Sequence, residues 1–356
     1  MDYITILDHR IGQGYPTYII AELSANHRHD FEQAVTILKA AKAAGADAVK
    51  LQTYTPDTLT LKSDNECFKV TSPPWEGRTL HDLYLEACTP WDWQPRLKEI
   101  ADELGLQLFS TAYDDAAVDF LQGMGVPAFK IASFEVVDLP LLRKAALTGK
   151  PIIVSTGMAT LAEIDEAVRT IREAGGSQVA LLKCTSAYPA PPEEMNLRTI
   201  PHLADGFELP VGLSDHSLDL AVPVAAVALG ACIIEKHLTM SRAAGGPDSV
   251  FSLEPHEFRA MVQAVRSTEK ALGAVHYGVS AGEATSRAYR RSLFVIEDIR
   301  AEEVFTLRNV RSIRPACGLH TRYLGDIIGR QATRDIQRGT PLSWDLIGNS
   351  RRMSQE

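Results

Sequence analysis

Eight times within roughly the first 240 residues, a short apolar run leads into a small polar cluster, with helical periodicity between most of the runs. The runs are Tyr18–Ala21, Ala48–Leu51, Leu106–Ser110, Ala128–Ile131, Pro151–Val154, Val179–Leu182, Pro210–Leu213 and Ala231–Glu235. Segments with helical spacing follow at Phe31–Ala44, Asp92–Leu104, Asp115–Met124, Leu139–Leu147, Leu161–Ala174, Leu218–Gly230 and Pro255–Leu272. Gly45 and Gly230 stand where glycine ends a helix in the left-handed conformation. Strand–helix units that repeat without reversing order specify a closed parallel barrel better than an open sheet. The expectation is an α/β fold, a (β/α)8 TIM barrel, and in such a barrel chemistry is done at the carboxyl ends of the strands. The polar clusters lie at those ends.

One excursion interrupts the alternation. Thr53–Thr89, containing Pro73-Pro74-Trp75, has no clear period, and an excursion after a barrel strand usually builds the rim of the site. After Gly273 the texture changes. Gly278–Arg287 is polar, and Arg291–Ile296 and Asn309–Ile313 are short strand-like pieces among Pro315, Gly318, Gly325 and Gly339. The expected division is a barrel over 1–277, a linker over 278–290, and a compact, mostly β module of about 60 residues over 291–350, too small to be more than marginal alone.

The stretch from Val211 to Glu254 concentrates the chemistry. Its two strands end on Ser214-Asp215-His216 and Glu235-Lys236-His237. As neighbours in a parallel sheet these place two imidazoles about 5 Å apart, where they can converge on one divalent ion. The competing reading is two unrelated histidines, one capping a helix and one satisfied in the core. Elsewhere the strand ends carry Glu22, Lys50 and Gln52, Ser110 and Thr111, Lys130 and Ser133, Ser155 and Thr156, and Ser186 and Tyr188. Any one hydroxyl could be a helix cap, and either lysine a structural ion pair. Converging on one face, two lysines and several hydroxyls suit a small anion with phosphate and carboxylate groups.

Composition narrows the partners. A net charge of −9 argues against nucleic acid or an anionic membrane, and no run is long and apolar enough to cross a bilayer. The N-terminus has no signal-peptide core. Cys67, Cys88, Cys184, Cys232 and Cys317 are odd in number and form no CxxC pair, so the expected compartment is a reducing cytoplasm. Charge is uneven: Lys270 is the last lysine, and Arg287–Arg338 carries eleven arginines against six acids.

The motifs AELSANH, KLQTY, FSTAYD, AFKIAS, STGM, LLKCTSAYP, GLSDHS, EKHLT and GGPDSVFSLEP run through the chain in this order. Together they resemble the sialic acid synthase family of phosphoenolpyruvate-dependent nonulosonate synthases, and the C-terminal module resembles that family's antifreeze-like (SAF) domain. Within the family, EACTPWDW, LKCTSAYPAPPEE and GGPDSVFSLEP look most like the pseudaminic acid branch; the N-acetylneuraminate and legionaminate branches are the alternatives. A non-catalytic sugar- or ice-binding protein is a rival of another class, opposed by the presence of both lysines and both histidines.

The resemblance implies a transferase that condenses phosphoenolpyruvate with an open-chain 2,4-diacetamido-2,4,6-trideoxy-altrose, releasing phosphate. It implies that His216 and His237 hold Mn2+, with Mg2+ or Co2+ as alternatives, and that Lys50, Thr111, Lys130, Ser133, Ser155 and Ser214 hold phosphoenolpyruvate. Glu22, Gln52, Tyr188 and Asp248 face the sugar, and Glu22 is the expected base for addition of water. Ser186 stands among the substrate-binding residues where N-acetylneuraminate synthases typically have Asn. Arg314, in a turn before Pro315, is expected to reach the site from a second subunit, giving a domain-swapped homodimer.

Overall fold

The structure, a computed structural model, describes residues 3–71 and 73–350; Met1, Asp2 and Ser72 and the tail from 351 lie outside the described residues. It divides into two compact units, 1–273 and 274–356. The helix Pro255–Leu272 closes the first unit, with Gly273 as its C-cap.

The first unit opens with an antiparallel hairpin, β1 (Tyr3–Ile6) and β2 (His9–Gly12). Ile4, Ile6 and Ile11 are buried. The hairpin is tied to the amino ends of barrel strands: Gln107 donates to the Ile6 carbonyl (3.1 Å), and the Thr5 amide donates to Gln178 Oε1 (2.7 Å). The end of the barrel opposite the polar clusters is therefore stoppered.

Eight strands then close on themselves in sequence order: β3 (Tyr18–Glu22), β4 (Ala48–Thr53), β5 (Gln107–Ala112), β6 (Phe129–Ile131), β7 (Ile152–Ser155), β8 (Val179–Cys184), β9 (Val211–Asp215) and β10 (Ile233–His237), with β10 returning to β3. Every neighbouring pair is parallel. This is the (β/α)8 barrel expected from the alternation, with one systematic difference. All the strands but β6 run one or two residues further toward their carboxyl ends than the apolar runs do. Glu22, Gln52, Thr111, Ser155 and His237 are thus strand residues and not loop residues. A parallel ladder is made by backbone groups, so it continues past the point where side chains turn polar.

The excursion after β4 is folded rather than irregular. It contains the short helix Pro56–Leu59 and the helix Leu80–Ala87, whose start is capped by Thr79 accepting from the Asp82 amide (3.1 Å). The connection from β8 to β9 carries the helix Thr199–Phe207, a span to which the sequence reading assigns no period.

The second unit contains β11 (Ser292–Val295) paired antiparallel with β12 (Val310–Ile313), and β13 (Arg330–Ala332) paired with β14 (Ile347–Ser350). It has its own core of Leu293, Val295, Ile299, Phe305, Val310, Ile327, Leu342 and Leu346.

Candidate active site

Strand alternation sorts the polar residues into two sets. Along β10, Glu235 and His237 face the lumen and Lys236 faces the helices, because successive side chains point to opposite sides. On β9 the same rule turns Ser214 inward and Asp215 outward. On β4, Lys50 and Gln52 face inward. Ser110 does not join them: its hydroxyl lies 2.6 Å from Thr53 Oγ1, which also contacts Gln94.

The inward set lines a cavity of about 450 Å3 at the carboxyl ends of the strands. Lys50 Nζ contacts Glu22 Oε2 and lies 3.5 Å from Glu235 Oε1, and it donates to Thr111 Oγ1 at 3.0 Å. Lys130 Nζ donates to Ser155 Oγ (2.7 Å) and to the Ile131 carbonyl (2.9 Å), and lies 4.0 Å from Glu235 Oε1. Glu235 Oε1 also accepts from Ser214 Oγ (3.1 Å), whereas its buried Oε2 has no hydrogen-bond partner.

Burial and charge oppose each other here. Burial pushes the Glu22 carboxyl up to about 7, against the pull of Lys50. Burial alone would discharge Lys50, but Glu22 and Glu235 outweigh it and hold the ammonium above its ordinary value. Lys130 has less compensation and is pushed down by burial to about 8.

His216 and His237 have ring centroids 5.3 Å apart. His216 Nδ1 is 3.0 Å from the Thr185 carbonyl, which can only accept, so Nδ1 carries the proton and Nε2 keeps its lone pair. His237 Nδ1 lies 3.1 Å from Ser24 Oγ. Burial, followed by the neighbouring His216, holds His237 well below the usual imidazole range and thus neutral. Among the described residues no hydrogen bond is made to either Nε2, and no cluster of three or more His, Cys, Asp or Glu is placed to hold a metal ion. The pair fits a divalent ion that keeps most of its positions for other ligands.

Across the cavity the chemistry changes. Leu59, Val70, Leu80, Leu83 and Ala87 from the excursion line it, with Tyr54, Trp75 and Tyr84. Trp75 spends its only donor on the Pro247 carbonyl (2.8 Å) and packs on Tyr188, with ring centroids 5.5 Å apart. Tyr188 in turn lies over His216 (4.5 Å) and Phe251 against His237 (4.9 Å). Asp248 lines this side, and its Oδ2 accepts from the Ala25 amide at 3.2 Å.

Of the expected residues, Lys50, Gln52, Lys130, Ser133, Ser155, Tyr188, Ser214, His216, His237 and Asp248 line one cavity. Glu22 and Thr111 are fully buried beside Lys50, and each contacts its ammonium. Ser186 Oγ is 3.9 Å from Cys184 Sγ, and a side chain on Gly157 would collide with Ser186 and Ser133. Arg314 is in the second unit, exposed, just after β12.

The sequence reading misses several lining residues. Glu235 shares a strand face with His237 and was recoverable by counting back two. Glu135 follows Ser133 closely, lines the cavity, and is pushed up to about 7 by burial despite Lys130. Tyr113, Cys184, Trp75 and Phe251 also line it, and no local signal separates them from ordinary core residues.

Comparison with known proteins adds to this geometry. Residues 37–277 match the NeuB family and residues 290–348 match the SAF domain. The chain is 44% identical over 325 residues to the pseudaminic acid synthase of Campylobacter jejuni (serotype O:23/36), covering 91% of this chain and 95% of the relative. It is 41% identical to the pseudaminic acid synthase of Helicobacter pylori, covering 94% and 99%. Among solved structures, the N-acetylneuraminic acid synthetase of Leptospira borgpetersenii in complex with citrate is similar with a TM-score of 0.71 at 32% identity, covering 80% of this chain and 94% of the other.

Proposed function

Because the chain belongs to the NeuB family, and because its barrel mouth faces a buried lysine cradle with an apolar wall, we propose that it is a pseudaminic acid synthase. It condenses phosphoenolpyruvate with the open-chain aldehyde of 2,4-diacetamido-2,4,6-trideoxy-altrose and water, giving pseudaminic acid and phosphate. The two-sided cavity carries the reading. A doubly anionic enol phosphate suits Lys50, Lys130 and the hydroxyls of Thr111, Ser133, Ser155 and Ser214. A sugar with a C6 methyl and two acetamido methyls suits Leu59, Val70, Leu80 and Leu83, where a hydroxyl would lose its hydrogen bonds to water.

The chain's own residues divide the work. Lys50 and Lys130 bind and orient the enol phosphate so that C3 faces the aldehyde carbon. In doing so Lys50 exchanges part of its contact with Glu22 for substrate. His216 and His237 would hold a divalent ion, Mn2+ in this proposal, whose Lewis acidity would polarise the aldehyde when bound. As the C3–carbon bond forms, C2 becomes electron-poor; Glu22, whose carboxyl lies near 7, takes a proton from the water that adds there. The bond from C2 to the bridging oxygen then breaks: phosphate departs with that oxygen, the new C2 hydroxyl loses its proton to become the ketone, and the two protons of the added water end on the former aldehyde oxygen and on phosphate. Asp248, Gln52, Tyr188, Ser186 and Glu135 face the sugar. The five unpaired cysteines suit a cytoplasmic setting. By family likeness the working form is a homodimer in which Arg314 of one copy completes the sugar pocket of the other.

The test is phosphate release and product mass with phosphoenolpyruvate, Mn2+ and either the trideoxy sugar or N-acetylmannosamine. The trideoxy sugar is the expected substrate, with phosphoenolpyruvate labelled at the bridging oxygen delivering its label to phosphate. Comparable turnover of N-acetylmannosamine moves the chain to the N-acetylneuraminate branch, and no phosphate release with any amino sugar makes it a binding protein.

A further inference from the structure

Ser24 occupies a backbone conformation that a serine seldom takes. Its φ is +43°, in the left-handed region that favours glycine, and it is fully buried just past the end of β3. A residue held there against its preference is retained for its side chain or not at all, and Ser24 uses every polar group it points into the site. Its amide donates to Glu22 Oε1 at 2.7 Å. Its hydroxyl lies 3.1 Å from His237 Nδ1, and among the described residues no hydrogen bond is made to His237 Nε2. A cation held at Nε2 needs the proton on Nδ1, and the serine oxygen is the group placed to receive it.

We propose that Ser24 is a positioning residue: its hydroxyl oxygen receives Nδ1–H of His237 and so presents Nε2 to a divalent cation, while its amide holds the Glu22 carboxylate. Metal-ligating histidines usually give their second nitrogen to a carboxylate, a carbonyl or water, and loss of that partner typically weakens metal binding ten- to a hundredfold. Here a serine hydroxyl takes that place. The left-handed turn places it there, because an extended backbone at 24 would carry the side chain away from β10. The inference rests on His216 and His237 holding the metal of the proposed reaction.

Glycine at this position separates the two roles of the residue. Ser24→Gly relieves the backbone conformation while deleting the hydroxyl, so a residue needed only for the turn would gain from it. The measurement is the Mn2+ dissociation constant, from free Mn2+ by electron paramagnetic resonance, together with the melting temperature of the metal-free protein. The expected result is a melting temperature at or above that of the parent with Mn2+ bound about tenfold more weakly, and a KM for phosphoenolpyruvate that changes less than the metal affinity. His237→Ala is the control. If it loses Mn2+ binding while Ser24→Gly binds as tightly as the parent, Ser24 has no positioning role. If His237→Ala also binds Mn2+ unchanged, the metal assignment itself fails. Should Ser24→Gly not fold, Ser24→Ala deletes the hydroxyl alone; weaker Mn2+ binding supports the positioning role, and unchanged binding overturns it.

Discussion

Two buried charge networks stand back to back on the same pair of strands, and they are built by opposite rules. On the helix-facing side of β9 and β10, Lys236 and Asp215 are both fully buried and fully answered. Lys236 Nζ bonds Asp215 Oδ2 at 2.5 Å and the Ser217 carbonyl, and Asp215 Oδ1 accepts from the Ser217 amide at 2.8 Å. On the lumen side, Lys50, Lys130, Glu22 and Glu235 share one another incompletely, and Glu235 leaves an oxygen with no partner. Buried ions are tolerated when every group is paired. Burial lowers Lys236 too, but the wall network is finished without a ligand. In the lumen Lys130 is pushed toward discharge and Glu22 toward protonation, with neighbouring Glu135 raised likewise. These groups gather at the cavity, and this is why the second set and not the first is assigned to chemistry.

The largest effect should come from breaking the finished network. Lys236→Met leaves Asp215 buried and unpaired, a loss of about 3–5 kcal/mol. Chemical denaturation should show it, and whatever folded protein remains should bind phosphoenolpyruvate normally. Lys130→Met should do the reverse. It removes a charge-assisted contact to substrate of about 1.5–3 kcal/mol, on the order of ten- to a hundredfold in phosphoenolpyruvate affinity, with a far smaller change in stability, because its nearest carboxylate is 4.0 Å away. Lys50→Met should weaken phosphoenolpyruvate to a similar degree and also cost stability, since it strips buried Glu22 of its cation. If Lys130→Met unfolds the protein as Lys236→Met does, that lumen lysine is structural and the contrast collapses.

Much of that contrast was legible in the chain and some was not. The barrel followed from the repeated strand–helix alternation, and the two histidines from their place at adjacent strand ends. Reading each strand as stopping where polarity begins hid the simplest inference, since Glu235, Lys236 and His237 lie on one strand and alternate between the networks. Ser24 could not be found that way: nothing in LSANH says that the serine turns left-handed, because that is imposed by the strand end and the loop of Asp248. The apolar wall was hidden for a related reason. Leu59, Val70 and Leu83 have no common period along an excursion whose folding depends on the barrel it covers. Arg314 belongs to the second unit, and its sequence context gave only a turn.

The pH dependence should come from the unfinished network alone. Glu22 lies near 7 and must be deprotonated to accept a proton, so kcat/KM should fall roughly tenfold per pH unit on the acid side of about 7. Lys130 lies near 8 and must be protonated to hold the anion, so the rate should fall again above about 8. Stability runs the opposite way. Glu22 is raised above its unfolded value of 4.5, so the folded state binds the extra proton between that value and about 7; this contribution is full below 4.5 and lost as pH rises through about 7. A rate profile flat from pH 6 to 9 would remove both groups from the reaction.

The smallest effects sharpen the comparison most. Ser214 and Ser217 are serines three residues apart, one serving each network. Ser217 holds Asp215 and Lys236 through its backbone amide and carbonyl, while its hydroxyl sits at 3.5 Å from Nζ, at the limit of a hydrogen bond. Alanine keeps both backbone groups, so Ser217→Ala should alter stability by no more than about 0.5 kcal/mol. Ser214 serves Glu235 only through its hydroxyl (3.1 Å), and no backbone group stands behind it. Ser214→Ala should therefore cost about 1.5 kcal/mol, the low end for a hydrogen bond to a charged group, since Glu235 is held ionised, seen as a roughly tenfold rise in KM for phosphoenolpyruvate. A network anchored on main chain tolerates loss of a hydroxyl, and a network made of side chains alone does not. Equal and negligible effects of the two alanines, measured by denaturation and by phosphoenolpyruvate kinetics, would mean that the lumen network is as redundant as the wall and that Glu235 has support beyond Ser214.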